Sequence, residues 1–251
     1  MSYFDQLILF VISLLANVFS AFSGGGAGLI QLPAIIFLGL PFSTALATHK
    51  VASVALGIGA TVRHLRTRSL DKRFVFLMLC FGLPGVITGA MIIVEIPGRI
   101  AEIALGILTV GLGIYSVLQA DLGQSNVEQH RSGTGFWLGG LVFMLIGVLN
   151  GSLTSGTGLF ATLWLVRWFG FDYRTAVAYT LILVGLFWNG TGALTLARVS
   201  TIQWTWLPAL LLGSLIGGYV GAHLAITSGN QWIKRGFEIV TFAVGLKLLL
   251  G

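Results

Sequence analysis

The chain has 251 residues, of which 56% are hydrophobic and only 9% charged, against about 25% charged in an ordinary soluble domain. Its apolar runs are continuous and not alternating, which excludes a soluble globule and a β-barrel and leaves an all-α, polytopic membrane protein. The formal charge of +6 falls in short loops, as in the cytoplasmic loops of membrane proteins, and not on an aromatic-interleaved face, so nucleic acid is set aside as a partner.

In chain order, the first apolar segment covers 4–22. It carries Asp5 and no basic leader, and a similar segment recurs later in the chain, so it reads as structure and not as a signal peptide. The glycine run of "FSGGGAG" (22–28) interrupts it. A piece of about ten residues follows at 29–38, roughly 15 Å of helix, too short to cross a bilayer. Three ordinary spans come next, at 44–63, 74–94 and 100–118. Polar residues 119–134 form a linker, and the pattern then restarts: 136–149, the break at "TSGTG", a short piece at 159–168, and spans at 175–196, 204–226 and 232–250. The lone cysteine, Cys80, lies within an apolar run, so neither an intrachain disulfide nor a cysteine-based metal site can form.

The restart is an internal repeat. Residues 23–47 align with 154–178, "GAM" at 89–91 with "GAH" at 221–223, and "GRIAEIALG" (98–106) with "KRGFEIVTF" (234–242). The expected organisation is a first membrane repeat at 1–118, a cytoplasmic linker at 119–134 and a second repeat at 135–251. Each repeat holds a glycine-broken segment and three spans. Each broken segment either crosses once or turns back as a re-entrant hairpin. If both turn back, the halves are inverted. Ten basic residues (Arg63, Arg66, Arg68, Lys72, Arg73, Arg131, Arg167, Arg174, Lys234, Arg235) then share one side, against three (Arg99, Arg198, Lys247) on the other. Single crossings give eight against five. The positive-inside rule favours inversion, with both termini outward, as in secondary transporters built from inverted repeats. All seven tryptophans lie in the second half; Trp204, Trp206 and Trp232 stand at span ends, where indoles anchor to the interface.

Open backbone inside a membrane is tolerated only where it is buried in protein or lines a cavity. Two breaks in corresponding positions therefore mark a site. Its candidate residues are Ser23, Gly24, Gly25, Gly26 and Gly28 in the first break, and Thr154, Ser155, Gly156, Thr157 and Gly158 in the second. The helix N-termini that follow favour an anion. Close packing through small residues is the competing use of such glycines. Lys50 lies inside a span without an acidic partner in reach of the sequence pattern. A substrate anion supplies the missing charge, unless the lysine snorkels to the interface or is neutral. Glu102 and Glu238 are instead accounted for by Arg99 and Arg235, three residues away on the same helical faces. His49 is either a proton relay or a hydrogen-bonded core histidine. Small polar residues within spans, Asn150 and Asn189 among them, are ligand contacts or helix–helix glue. Paired core carboxylates, a nucleophile beside a base, and metal-ligand spacing are missing, so neither an enzyme nor a cofactor is expected.

"FSGGGAGLIQLP", "ATHK", "GVLNGSLTSGTGLF" and "GSLIGGYVGAHLAI" together resemble the TauE/SafE sulfite-exporter family over nearly the whole chain outside the linker. The resemblance implies a multi-pass transporter of sulfur-containing anions (sulfite, sulfonates or sulfoacetate) in a prokaryotic inner membrane, working in the export direction. "ATHK" resembles an "ATNK"-like stretch of some branches, so Lys50 carries over while His49 departs. "SGTG" stands where "PGTG" is common, and the lysine those branches have in the corresponding second-half span is missing. The expected function is a secondary transporter of a small sulfur-containing anion bound near the midplane between the two broken hairpins, with protons as a possible coupling partner. The alternatives are an anion channel and a non-transporting membrane scaffold or sensor.

Overall fold

A computed structural model describes residues 3–66, 70–92, 98–154 and 156–250. Every regular element among them is helical: α1 (Tyr3–Ser23), α2 (Gln31–Phe37), α3 (Phe42–His64), α4 (Lys72–Ile92), α5 (Gly98–Leu118), α6 (Gly133–Ser152), α7 (Thr157–Phe169), α8 (Tyr173–Tyr179), α9 (Asn189–Leu196), α10 (Leu207–Ser228) and α11 (Asn230–Leu250), with a π-helical stretch, Thr180–Trp188, joining α8 to α9. Among the described residues, six helices are long and apolar enough to cross a membrane: Phe4–Ser23, Phe42–His64, Lys72–Ile92, Gly133–Ser152, Tyr173–Leu196 and Trp204–Ser228. The chain is an all-helical, multi-pass membrane protein.

Helix ends meet at two poles of the bundle. At one pole, Gln6 donates to the Thr205 carbonyl (2.8 Å), Thr44 and Thr201 bond through their hydroxyls (2.8 Å), and Arg99 donates to the Leu249 carbonyl (2.8 Å). The starts of α1, α3 and α5 and the end of α11 therefore lie there. At the other pole, the Asp71 amide donates to the Tyr179 hydroxyl (2.7 Å), Asn230 donates to the Gln124 carbonyl (2.9 Å), and Phe74 packs edge-on against Phe136 (5.4 Å) and Phe169 (5.0 Å). The linker, the starts of α4, α6 and α11 and the end of α7 lie at this second pole. Thus α1 leaves the first pole and α2 returns toward it, whereas α6 leaves the second pole and α7 returns to it.

The tightest pairings are α1 with α10, α4 with α6, α3 with α10, and α5 with α11. Glycines set the first two. A methyl on Gly217 would sit 2.6 Å from the Leu14 carbonyl oxygen, and one on Gly147 would sit 2.4 Å from that of Gly82. Helices within a membrane gain nothing from hydrophobic burial against each other, so close backbone approach through small residues takes over.

Several expectations are corrected. The piece expected over 29–38 is a single 3₁₀ turn, Ala27–Leu29, followed by the seven-residue α2, whereas its counterpart α7 runs for 13 residues. The expected plain span at 175–196 contains the π-helical stretch. Glu238 approaches Lys234 one turn away (3.6 Å) and accepts from Ser116 (3.0 Å), while Arg235 stacks over Trp232 at 5.1 Å; i,i+4 geometry and an aromatic face win over the i,i+3 partner. The Glu102 side chain lies outside the described residues. Trp206 is buried in a core cluster and not interfacial, and Trp188 is fully enclosed, its indole donating to the Met78 carbonyl (3.1 Å). The linker is docked: the Val127 amide donates to the Gly170 carbonyl (2.8 Å), and Arg131 donates to that of Phe169 (2.8 Å) while lying 4.0 Å over the Phe171 ring.

Candidate functional site

The two glycine breaks meet at the centre of the bundle. Gly24, Gly25 and Gly26 all take positive φ (88°, 146° and 105°), the region open to glycine. A methyl on Gly25 would lie 2.6 Å from the Gly158 carbonyl carbon and 2.6 Å from the Leu159 nitrogen, so the breaks touch backbone to backbone. Thr162, on α7, donates its hydroxyl to the Gly24 carbonyl at 2.7 Å and lies 2.9 Å from the Thr180 hydroxyl. In the second break, Gly156 (φ 75°) is joined by Thr154 (φ 60°), a β-branched residue in left-handed backbone. Such a conformation persists only where its surroundings enforce it. Here the Thr154 hydroxyl donates to the Asn150 carbonyl (3.1 Å), and the Thr154 carbonyl accepts from the Thr157 hydroxyl (2.9 Å).

Lys50 is fully buried on α3. Its ammonium donates to the Asn150 backbone carbonyl (2.7 Å), the Asn150 side-chain oxygen (2.8 Å) and the Asn189 side-chain oxygen (3.0 Å). The Asn150 amide nitrogen is turned the other way, donating to the Thr157 hydroxyl at 2.9 Å. Three N–H donors thus meet three neutral acceptors contributed by the second half of the chain. The Asn150 carbonyl belongs to the last turn of α6, where the helix dipole is negative and its carbonyls lack intrahelical donors.

His49 faces another way, as a helical neighbour must. Its Nδ1 lies 2.9 Å from the Gln31 side-chain oxygen and its Nε2 3.1 Å from the Ser53 hydroxyl. Gln31 donates through its nitrogen to Ser13 (3.0 Å), which pairs with Ser214 (3.0 Å). The histidine is therefore tied to α1, α2 and α10 as well as to its own helix.

Between these groups lies a cavity of about 40 Å³, room for roughly three water molecules by the same measure. The first break lines it with Gly25, Gly26, Ala27 and Gly28, the second with Thr154, Thr157 and Gly158, and α3 with His49 and Ser53. Asn150, Asn189, Thr180 and Gly185 close the remaining side. Of the residues expected from sequence, nine line this cavity. Ser23, Gly24, Gly156 and Lys50 stand behind it. Ser23 holds the turn by donating toward the Phe19 and Gly25 carbonyls (2.8 and 3.1 Å). Gly24 and Gly156 shape the backbone, and Lys50 reaches the cavity through Asn150 and Asn189. Ser155 lies outside the described residues.

Sequence reasoning left Gln31, Ser20, Ser53 and Thr180 out of the site. Ser53 sits one helical turn beyond His49, and that i,i+4 spacing is a usable signal. Gln31, isolated among apolar residues, was another. Thr180 has no local signal, because its position depends on the π-helical turn. Such turns occur frequently at functional sites.

The "Sulfite exporter TauE/SafE" family model matches residues 9–248. A "Probable membrane transporter protein" of Haemophilus influenzae is 28% identical over 243 residues, covering 96% of this chain and 93% of the relative. The "Probable membrane transporter protein YfcA" of Escherichia coli K12 is 27% identical, with 96% and 88% covered. Bacillus subtilis "Probable membrane transporter protein YunE" is 21% identical, with 97% of each chain covered. No solved structure matches the chain.

Proposed function

This chain belongs to the TauE/SafE sulfite exporter family, a family of membrane transporters and not of enzymes, and we propose that it is a secondary transporter exporting a small sulfur-containing anion, sulfite or a short sulfonate. One observation carries the anion. Lys50 is a buried cation held by three neutral carbonyl oxygens, with no carboxylate among the described residues lining the cavity. An unbalanced cation inside a membrane costs several kcal/mol by order of magnitude. An anion in the adjoining cavity offsets that penalty, and the N-terminus of α7, where Thr157 and Gly158 line the same space, directs the positive end of its dipole there.

The two halves act as inverted repeats in this proposal. The opposite poles from which α1 and α6 set out support it, as does the gathering of Arg63, Lys72, Arg73, Arg131, Arg174 and Lys234 at the linker pole. By the positive-inside rule that pole is cytoplasmic, placing both termini outside the cell's inner membrane. Rocking of one half against the other then exposes the central cavity to each side in turn, and His49 is the group through which protons couple.

Counterflow in proteoliposomes tests the reading. Internal sulfite or methanesulfonate is expected to drive saturable uptake of labelled sulfite, and Lys50→Ala is expected to fold and lose it. Non-saturating currents make the protein a channel. No flux and no binding make it a scaffold, and full flux in Lys50→Ala removes the lysine from the mechanism.

A further inference from the structure

We infer that the cavity takes its oxyanion in the singly charged state, as hydrogen sulfite or a monosulfonate, and rejects dianions; this rests on the anion reading above. The inference follows from counting fixed charges. All three contacts of the Lys50 nitrogen, at 2.7, 2.8 and 3.0 Å, are to carbonyl oxygens, which only accept. Only an ammonium donates to all three, so we assign Lys50 one positive charge.

His49 adds none. Gln31 spends its amide nitrogen on Ser13, which leaves its oxygen facing Nδ1, so that ring nitrogen carries the hydrogen. The Ser53 hydroxyl then donates to Nε2, and the neutral imidazole has both positions satisfied. The remaining lining groups from α1, the two breaks, α6 and the 180–189 stretch are glycines, hydroxyls, amides and apolar side chains. Among the described residues none of these is acidic or cationic, so Lys50, behind Asn150 and Asn189, is the one charge beside the space. The site therefore holds a charge of +1. A monoanion brings it to zero, whereas a dianion leaves one uncompensated negative charge inside the membrane. The size of the cavity points the same way, being suited to a compact oxyanion with little water to screen a second charge.

Calorimetric titration of the purified full-length protein tests this independently of transport, using methanesulfonate (one charge at every pH) and sulfate (two). Methanesulfonate is expected to bind the wild-type protein at least about tenfold more tightly. The half-saturating concentration of total sulfite is expected to rise as alkali converts hydrogen sulfite into the dianion. Equal binding of sulfate, a sulfite affinity unmoved by that conversion, or binding of neither anion overturns the inference. A sulfate preference abolished by His49→Gln also overturns it, assigning a second positive charge to the histidine. Monoanion binding without counterflow upholds it while the transport reading fails.

Discussion

Gly25 and Gly158 meet backbone to backbone where the two broken segments cross: a methyl on the first would fall 2.6 Å from the second. This contact brings the two breaks, 133 positions apart in the numbering, to one cavity. Gly25→Ala is expected to lower stability by about 1–3 kcal/mol through overpacking, with added strain from its φ of 146°. Gly158→Ala, whose methyl would lie 2.9 Å from the Gly25 Cα, should be the milder change. Thermal unfolding in detergent, with counterflow on the same preparations, checks the order. A Gly25→Ala protein as stable and active as wild type would contradict the tight seam.

Asn189 separates charge from hydrogen bonding. Asn189→Ala removes one of three acceptors from a buried ammonium and is expected to cost about 1–3 kcal/mol. Asn189→Asp keeps an oxygen there and adds the carboxylate that Lys50 lacks. It should be at least as stable as Asn189→Ala yet bind methanesulfonate far more weakly, because the site then carries its own anion. Melting curves and anion titrations on both variants give the answer.

Thr162→Val keeps the side-chain shape but strips the donor from the Gly24 carbonyl. A buried carbonyl without its partner costs about 1–3 kcal/mol. Faster hydrogen exchange is expected at residues 24–26, with α4 unaffected. Unchanged exchange in the first break would mean that this bond does not hold it.

Orientation can be read by labelling. In a Cys80→Ser background, a cysteine at Gln124, in the linker, is expected to react with an impermeant maleimide only from the cytoplasm. One at Thr201, at the opposite pole, should react only from outside. The reverse pattern would invert the topology, and labelling of both from one face would dismiss the two-pole assignment.

The apolar runs made the membrane class and six of the spans legible from sequence alone. Among the described residues, the helices at 100–118 and 232–250 do not join those long and apolar enough to cross. The two glycine breaks pointed to the central cavity of the candidate site. Lys50 stood out because charge inside an apolar segment needs a local reason. Its partners did not: Asn150 and Asn189 are 100 and 139 positions away, and one of the bonds goes to a backbone carbonyl that no residue type announces. The π-helical turn was equally hidden, since it arises where α3 presses on the second half. A methyl on Gly57 would lie 2.5 Å from the Gly185 carbonyl carbon. Local propensity records nothing of such a crossing. The Arg235–Glu238 pairing failed for a related reason: spacing named one suitable neighbour, and Trp232 and Lys234 offered better ones.

Lys50 comes from the first half, and all three oxygens that hold it come from the second. In the proposed rocking mechanism, separating the halves would strip every hydrogen bond from a cation inside a membrane, whereas an anion travelling with Lys50 would let the parting proceed without leaving that charge bare. On the proposed transport reading the same three bonds discourage futile opening, and a variant that loosens them should leak before it loses affinity.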